Sequence, residues 1–300
     1  VARFIKPDHI YISTNVQYLP LVHQQLPQVD DEQILEEPVR RGTLASVAWG
    51  TVVIAKANPH ANVFVTPADH VILNEDVYQE DILKALRFVQ DRQGLLVTGI
   101  RPSRTETGYG YIQMDDRHEV EKDIYPVKSF TEKPNAEFAE MFIQEGDFLW
   151  NSGLFSFNVN VMLSNLFSLV PEYQVEIPWM MAEAEHASPT LVPEFFNSLP
   201  NRNVDVSILE RSDQVYVQQG HFGWADMGTW ASLYDDAPAD AKGNVLLNTK
   251  AFLYDCADNI IRLPDGRTAV IKGLNDYVIA EEGEILMICP RKDVTAMRKM

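Results

Sequence analysis

The sequence predicts an α/β fold, a mostly parallel sheet with helices on both faces, followed by a small all-β appendage at the C-terminus. Three observations predict it. Near-continuous apolar runs at 62–66 (NVFVT) and 95–100 (LLVTGI) suit central strands covered on both sides. Between them Tyr78, Ile82, Ala85, Leu86 and Val89 recur at helical spacing. From about Gly243 short apolar segments recur roughly every 9–11 residues, split by Gly, Asp, Asn and Pro, which is the texture of an all-β unit.

Taken in order, residues 9–14 (HIYIST) are rich in β-branched and aromatic residues and read as the first strand. Asp76 is placed to cap the helix that carries Tyr78 to Val89. The strand–helix–strand rhythm over 9–100 predicts the parallel sheet. The run KSFTEKP then ends a strand at Pro134, and Asn135 caps an amphipathic helix with Phe138, Ala139, Phe142 and Ile143. LFSFN at 154–158 is a strand, followed by a helix to about Leu169. QVYVQ at 214–218 is another strand. NVLLN, AFLYD, NIIRL, TAVIK, DYVIA and EILMI supply the strands of the appendage. The change of texture at APADAKG places a domain boundary near residue 240, giving domains of 1–240 and 241–300.

Composition narrows the function. The chain has 300 residues with 25 Lys+Arg against 43 Asp+Glu, a net charge of −18. Such a balance argues against nucleic acid as a partner, because phosphate backbones are bound through clustered basic residues. It leaves open a nucleotide ligand, which needs only local donors or a bridging metal ion. Cys256 and Cys289 are the two cysteines and no CxxC occurs, so neither a zinc cluster nor a disulfide scaffold is indicated, and a reduced, cytoplasmic setting fits. Residues 148–170 carry no charge and are long enough to span a bilayer, but four Asn and four Ser within them make insertion costly. They read as a buried strand and a helix, so no membrane association is expected.

Six short stretches could carry chemistry. Thr66-Pro67-Ala68-Asp69-His70 follows an apolar strand, where ligands of open α/β sheets bind. Asp69 either caps a turn or holds Mg²⁺ against phosphate oxygens. In FGWADMGTW, Asp226 sits between two tryptophans. Paired tryptophans usually signal packing, yet an Asp in an apolar setting needs a partner, and a metal ion shared with Asp69 would be one. Thr107-Gly108-Tyr109-Gly110-Tyr111-Ile112 is either a tight turn or a place where backbone approaches a sugar. Glu132-Lys133-Pro134 ends a strand, either as a solvated pair or with Lys133 binding phosphate. Asn151, in WNSGL, is a turn residue or a partner for sugar hydroxyls. EPVRRGT, residues 37–43, is a basic loop in an acidic chain.

Each stretch is weak alone. In this order, EPVRRGT, VTPADHVI, TETGYGYIQ, FTEKPNAEFA, FLWNSGLFSFN, NVDVSILE and FGWADMGTW resemble the bacterial mannose-1-phosphate guanylyltransferases, a group of sugar-nucleotide pyrophosphorylases. The resemblance runs from Glu37 to Trp230 and implies a Rossmann-like fold of the nucleotide-diphospho-sugar transferase type. It also implies roles. Asp69 and Asp226 match metal-binding aspartates, and Lys133 the lysine that contacts the sugar phosphate. Those three are the catalytic candidates. Tyr109, Gly110, Glu132 and Asn151 match sugar-binding positions, and Glu37, Pro67, Arg41 and Thr43 the nucleotide-binding ones.

The implied reaction joins GTP and mannose 1-phosphate to give GDP-mannose and pyrophosphate with Mg²⁺ as cofactor, in an enzyme able to form a homodimer. Two alternatives stay open. One is a pyrophosphorylase for another sugar or base, since the family's Arg-Asn-Thr-Ala-Pro loop here reads Arg41-Gly42-Thr43-Leu44-Ala45. The other is a non-catalytic sugar-nucleotide-binding protein on the same scaffold. The family also opens with a strand and a Gly-rich phosphate loop that this sequence does not contain. Roughly forty residues of that kind are expected ahead of Val1, with the strand at 9–14 lying towards one side of the sheet.

Overall fold

A computed structural model describes residues 1–174, 196–226, 230, 233–234, 237–247 and 249–294. By internal contacts the chain divides into two compact units, Val1–Pro67 with Leu73–Gly223, and Ala68–Ile72 with Trp224–Met300. The strands are β1 (Ile12–Asn15), β2 (Ile34–Glu37), β3 (Asn62–Val65), β4 (His70–Ile72), β5 (Leu95–Ile100), β6 (Tyr111–Met114), β7 (Ile124–Thr131), β8 (Phe148–Asn158), β9 (Val215–Gly220) and β10 (Trp224–Asp226). Strands β11 (Val245–Leu246), β12 (Lys250–Tyr254), β13 (Ile260–Arg262), β14 (Thr268–Lys272), β15 (Tyr277–Glu282) and β16 (Ile285–Pro290) follow. The α-helices are α1 (Leu19–Gln25), α2 (Gly42–Ala57), α3 (Glu75–Asp91), α4 (Ala136–Glu145) and α5 (Val159–Leu169).

The first unit is built on a six-stranded sheet in the order β3-β8-β5-β9-β7-β6, with β6 also pairing β8. Alternation along each strand assigns its faces. Leu95 and Val97 of β5, with Val215 and Val217 of β9 and Phe155 and Phe157 of β8, pack with α2 and α5. Leu96, one residue out of phase, packs with Ala85, Phe88 and Val89 of α3. Helices therefore cover both faces, as the apolar runs predict. The sheet is more mixed than the sequence rhythm implies. Strands β3, β5, β6 and β9 run one way and β7 and β8 the other, so β5–β9 is the parallel neighbour pair among the described strands of this sheet. The cause is the short β6–β7 connection, which forces antiparallel pairing, and the long β8, which runs back between β3 and β5.

Strand β1 does not lie at one side of this sheet, where the sequence placed it. It forms a separate parallel pair with β2. Its residues are too polar for a covered strand: Ser13 and Asn15 both donate hydrogen bonds to Glu37. The cap of α3 also differs from expectation. Asn74, not Asp76, accepts from the Val77 N–H, and Asp76 lies in the first turn, where its charge suits the helix dipole. Asn135 caps α4 as predicted, accepting from the Phe138 N–H at 2.9 Å.

The charge-free run is β8 followed by α5, with Asn158 capping the helix. Among the described residues no helix is long and apolar enough to cross a membrane. The sequence begins this strand at Leu154, but β8 begins at Phe148, so the Trp150–Gly153 stretch is strand rather than turn. Its pairing with β5 shifts register there, and Gly153 takes φ +72° to accommodate the shift.

In the second unit all six predicted strands of the appendage form, with Asn248 outside the described residues. Strands β11, β13 and β15 stack in parallel, β16 closes antiparallel on β15, and β12 pairs β14 in parallel. Val245, Ile260 and Val278 stack through the interior. Beside them the buried Asn259 donates to Asn244 Oδ1 and to the Leu274 carbonyl, and accepts from the Tyr277 N–H. A buried amide needs such partners, and here they tie successive turns of the stack together.

Candidate active site

Two groups of predicted residues assemble, one in each unit. In the second unit β4 and β10 pair antiparallel, with Asp226 opposite His70 and Trp224 opposite Ile72. Asp69 stands just ahead of β4. Ligating atoms of Asp69, His70 and Asp226 all lie within 4.8 Å of one another. Asp226 is thus the last described residue of a strand; Met227, Gly228 and Thr229 lie outside the described residues. Trp224 Nε1 donates to His70 Nδ1 at 3.0 Å, and His70 Nε2 is 3.9 Å from Asp69 Oδ1. Burial pushes the His70 imidazole below its usual range, and Asp226 and Asp69 partly offset this. Two carboxylates at this spacing match the oxygen donors a hard divalent cation takes.

In the first unit four predicted residues meet. Gly110 precedes β6, Glu132 and Lys133 follow β7, and Asn151 lies in β8, so the β6–β7 and β6–β8 pairings bring them together. The Asn151 N–H donates to the Gly110 carbonyl at 2.7 Å. Lys133 Nζ is 2.7 Å from Glu132 Oε1, with the lysine backbone at φ +50°. That left-handed conformation is costly for a non-glycine residue and is the kind of strain found at ligand sites. Tyr109 is buried and its ring packs edge-on against Trp150, centroids 5.3 Å apart.

Two further carboxylates enter this group without having been predicted. Asp205 Oδ1 accepts from Asn151 Nδ2 at 2.8 Å, and Glu210 Oε1 accepts from the Glu132 N–H at 3.2 Å. Asp205 opens, and Glu210 directly follows, a π-helical turn, Asp205–Leu209, a rare form frequent at functional sites. Burial raises the Glu210 carboxyl above its usual range; the Glu132 N–H opposes this, and the charges of Glu132 and Asp205 add to it. NVDVSILE is among the stretches that carry the family resemblance, but no spacing in it marks these two acids.

The predicted nucleotide-binding residues of the first unit have internal partners. Glu37 Oε1 accepts from Ser13 Oγ at 2.7 Å. Arg41 donates to the carbonyls of Phe196 and Asn197, and Thr43 Oγ1 accepts from the Val204 N–H. Gly42 adopts φ +74°, and a Cβ there would stand 2.2 Å from the Arg202 carbonyl oxygen. The Arg-Gly-Thr loop is thus braced against the chain around residues 196–204, which explains the glycine. Pro67 follows β3 directly after Thr66, whose hydroxyl donates to the Pro67 carbonyl at 3.0 Å.

The sequence model of the nucleotidyl transferase family matches residues 4–243, and the chain belongs to that family, whose members generally use a divalent metal ion. It is 30% identical over 303 residues to mannose-1-phosphate guanylyltransferase 2 of Escherichia coli O157:H7, a match covering 96% of this chain and 62% of that protein. It is 31% identical over 290 residues to mannose-1-phosphate guanylyltransferase RfbM of Salmonella typhimurium, covering 93% of this chain and 59% of that one. The chain thus spans about three fifths of the length of the curated relatives it matches. A crystal structure described as mannose-1-phosphate geranyltransferase from Thermus thermophilus superposes with a TM-score of 0.87 at 24% identity, covering 99% of this chain and 84% of that one, and so shares the fold.

Proposed function

We propose that this protein makes GDP-mannose and pyrophosphate from GTP and mannose 1-phosphate, with Mg²⁺ as the metal, in the cytoplasm. The observation that carries the reading is the convergence of Gly110, Glu132, Lys133 and Asn151, residues from three separate stretches, into one polar group. The names of the relatives supply the substrates. The reach of the family model, residues 4–243, supports a nucleotidyltransferase domain over 1–240 followed by a β-rich part over 241–300.

In the reaction an oxygen of the sugar phosphate attacks the α-phosphorus of GTP. The bond between the α-phosphorus and the bridging oxygen breaks, and pyrophosphate leaves with that electron pair. No covalent enzyme intermediate is needed, so catalysis is alignment and charge neutralisation. Lys133 holds the phosphate of mannose 1-phosphate, exchanging part of its ion pair with Glu132 for the substrate anion. Glu132 then accepts from sugar hydroxyls, and Asn151, whose amide is oriented by Asp205, retains one N–H and one lone pair for the same purpose. Tyr109 and Trp150 form the buried floor behind these groups. Glu37, Arg41, Thr43 and Pro67 serve the nucleotide, Arg41 and Thr43 through the loop they brace. Asp69 and Asp226 would hold the cation, which would supply neutralisation of phosphate charge.

The test is pyrophosphate release by the full-length protein from each of GTP, ATP and UTP, with mannose 1-phosphate or glucose 1-phosphate. The proposal expects release that needs both GTP and mannose 1-phosphate. Faster release with another pair reassigns the substrates, and no sugar-dependent release with any pair refutes the enzyme.

A further inference from the structure

Across the β4–β10 pair, Trp224 Nε1 stands 3.0 Å from His70 Nδ1. An indole N–H can only donate, so Nδ1 is the acceptor and carries no hydrogen. In the neutral ring the hydrogen is then on Nε2, the nitrogen 3.9 Å from Asp69 Oδ1. The ring has little freedom to turn, because its side chain is 9% exposed and it meets the indole edge-on with centroids 5.1 Å apart. A nitrogen of His70 lies within 4.8 Å of both carboxylates, as a third metal ligand would. Yet one ring lone pair is committed to Trp224 and the other position bears hydrogen.

With Asp69 and Asp226 read, as above, as the cation-binding pair, we propose that Trp224 and His70 are positioning residues that keep this an oxygen-only site. Trp224 fixes the imidazole tautomer, and His70 presents its Nε2–H towards Asp69 across 3.9 Å, so that no ring lone pair is offered as a ligand. The consequence is selectivity. Oxygen donors suit Mg²⁺ and Mn²⁺, whereas an available imidazole lone pair favours Co²⁺, Ni²⁺ and Zn²⁺. Without the indole donor the hydrogen is free to move to Nδ1, which leaves the Nε2 lone pair facing the carboxylates.

The experiment measures binding of metal alone to the full-length protein, Co²⁺ by its visible absorption, Mn²⁺ by electron paramagnetic resonance, and Mg²⁺ by competition against Mn²⁺. Trp224→Phe is expected to raise Co²⁺ affinity relative to Mg²⁺ on the order of tenfold and to shift the Co²⁺ band. Adding His70→Gln to Trp224→Phe should restore the wild-type ratio. In the otherwise native protein, His70→Gln, which keeps an N–H donor near the Nε2 position, should hold Mg²⁺ within about threefold of wild type, while His70→Leu weakens it about tenfold. That second comparison decides the matter if Trp224→Phe does not fold. An unchanged Co²⁺ to Mg²⁺ ratio in folded Trp224→Phe, a gain that persists without His70, or equal Mg²⁺ affinity in His70→Gln and His70→Leu overturns the positioning role alone. Cation binding that is the same in wild type and Asp226→Asn overturns the carboxylate pair, and the positioning role with it.

Discussion

A Cβ on Gly110 would stand 2.5 Å from Oε2 of Glu132 and 3.3 Å from the Cβ of Asn151. The atom a Cβ would meet first is the movable end of the Glu132 side chain, so a larger residue here displaces that carboxylate and not the backbone. Gly110→Ala should push the Glu132 carboxylate away from its place and leave the fold standing. The KM for mannose 1-phosphate should rise about tenfold or more, corresponding to loss of a charged hydrogen bond of ~1.5 kcal/mol, with the KM for GTP little changed. Steady-state kinetics with each substrate varied in turn checks this.

Lys133 is expected to bind the sugar phosphate in preference to the nucleotide. Lys133→Gln should weaken mannose 1-phosphate by about 1.5–3 kcal/mol and GTP by much less. Calorimetric titration of each ligand separates the two effects; equal weakening would contradict the assignment.

Glu210 gives a pH signature. Its folded-state pKa is raised above the ordinary value of 4.5, so the folded state favours the protonated carboxyl. The contribution of Glu210 to stability is then fully present at low pH and is lost as pH rises through the raised folded value. Glu210→Gln keeps an acceptor for the Glu132 N–H without the charge. It should raise the Tm at pH 8 and leave it nearly unchanged at pH 4, as thermal melts at the two pH values will show.

Asn259 is fully buried and joins Asn244, Leu274 and Tyr277 by side-chain hydrogen bonds. Asn259→Ala leaves several buried groups without partners and should cost about 2–4 kcal/mol of the β-rich unit's stability. Denaturant melts followed by tryptophan fluorescence and circular dichroism measure the loss.

Much of this was legible in the sequence, for physical reasons. Continuous apolar runs such as 95–100 suit covered strands, and Asn135 ahead of an amphipathic run suits the opening of a helix. The candidate residues were picked out by their order along the chain, and Gly110, Glu132, Lys133 and Asn151 lie together because β6 pairs with both β7 and β8. Strand polarity was not legible, since an apolar run carries no direction, and β8 reversed what the rhythm implied. Asp205 and Glu210 were missed because a π-turn leaves no periodicity to read. Asn74 displaced Asp76 as a cap because both residues cap well and only backbone geometry chooses between them. The Trp224–His70 contact lies between residues far apart in sequence, and only the β4–β10 register reveals it.

The central claim is that Asp69 and Asp226 serve nucleotidyl transfer. Its most direct test is the rate of mannose 1-phosphate-dependent pyrophosphate release from GTP by wild-type, Asp69→Asn and Asp226→Asn proteins at saturating Mg²⁺, with melting temperatures measured alongside. Each substitution should lower kcat by at least about 100-fold while shifting the Tm by no more than a few degrees. Near-wild-type turnover in a folded Asp226→Asn protein would contradict the account.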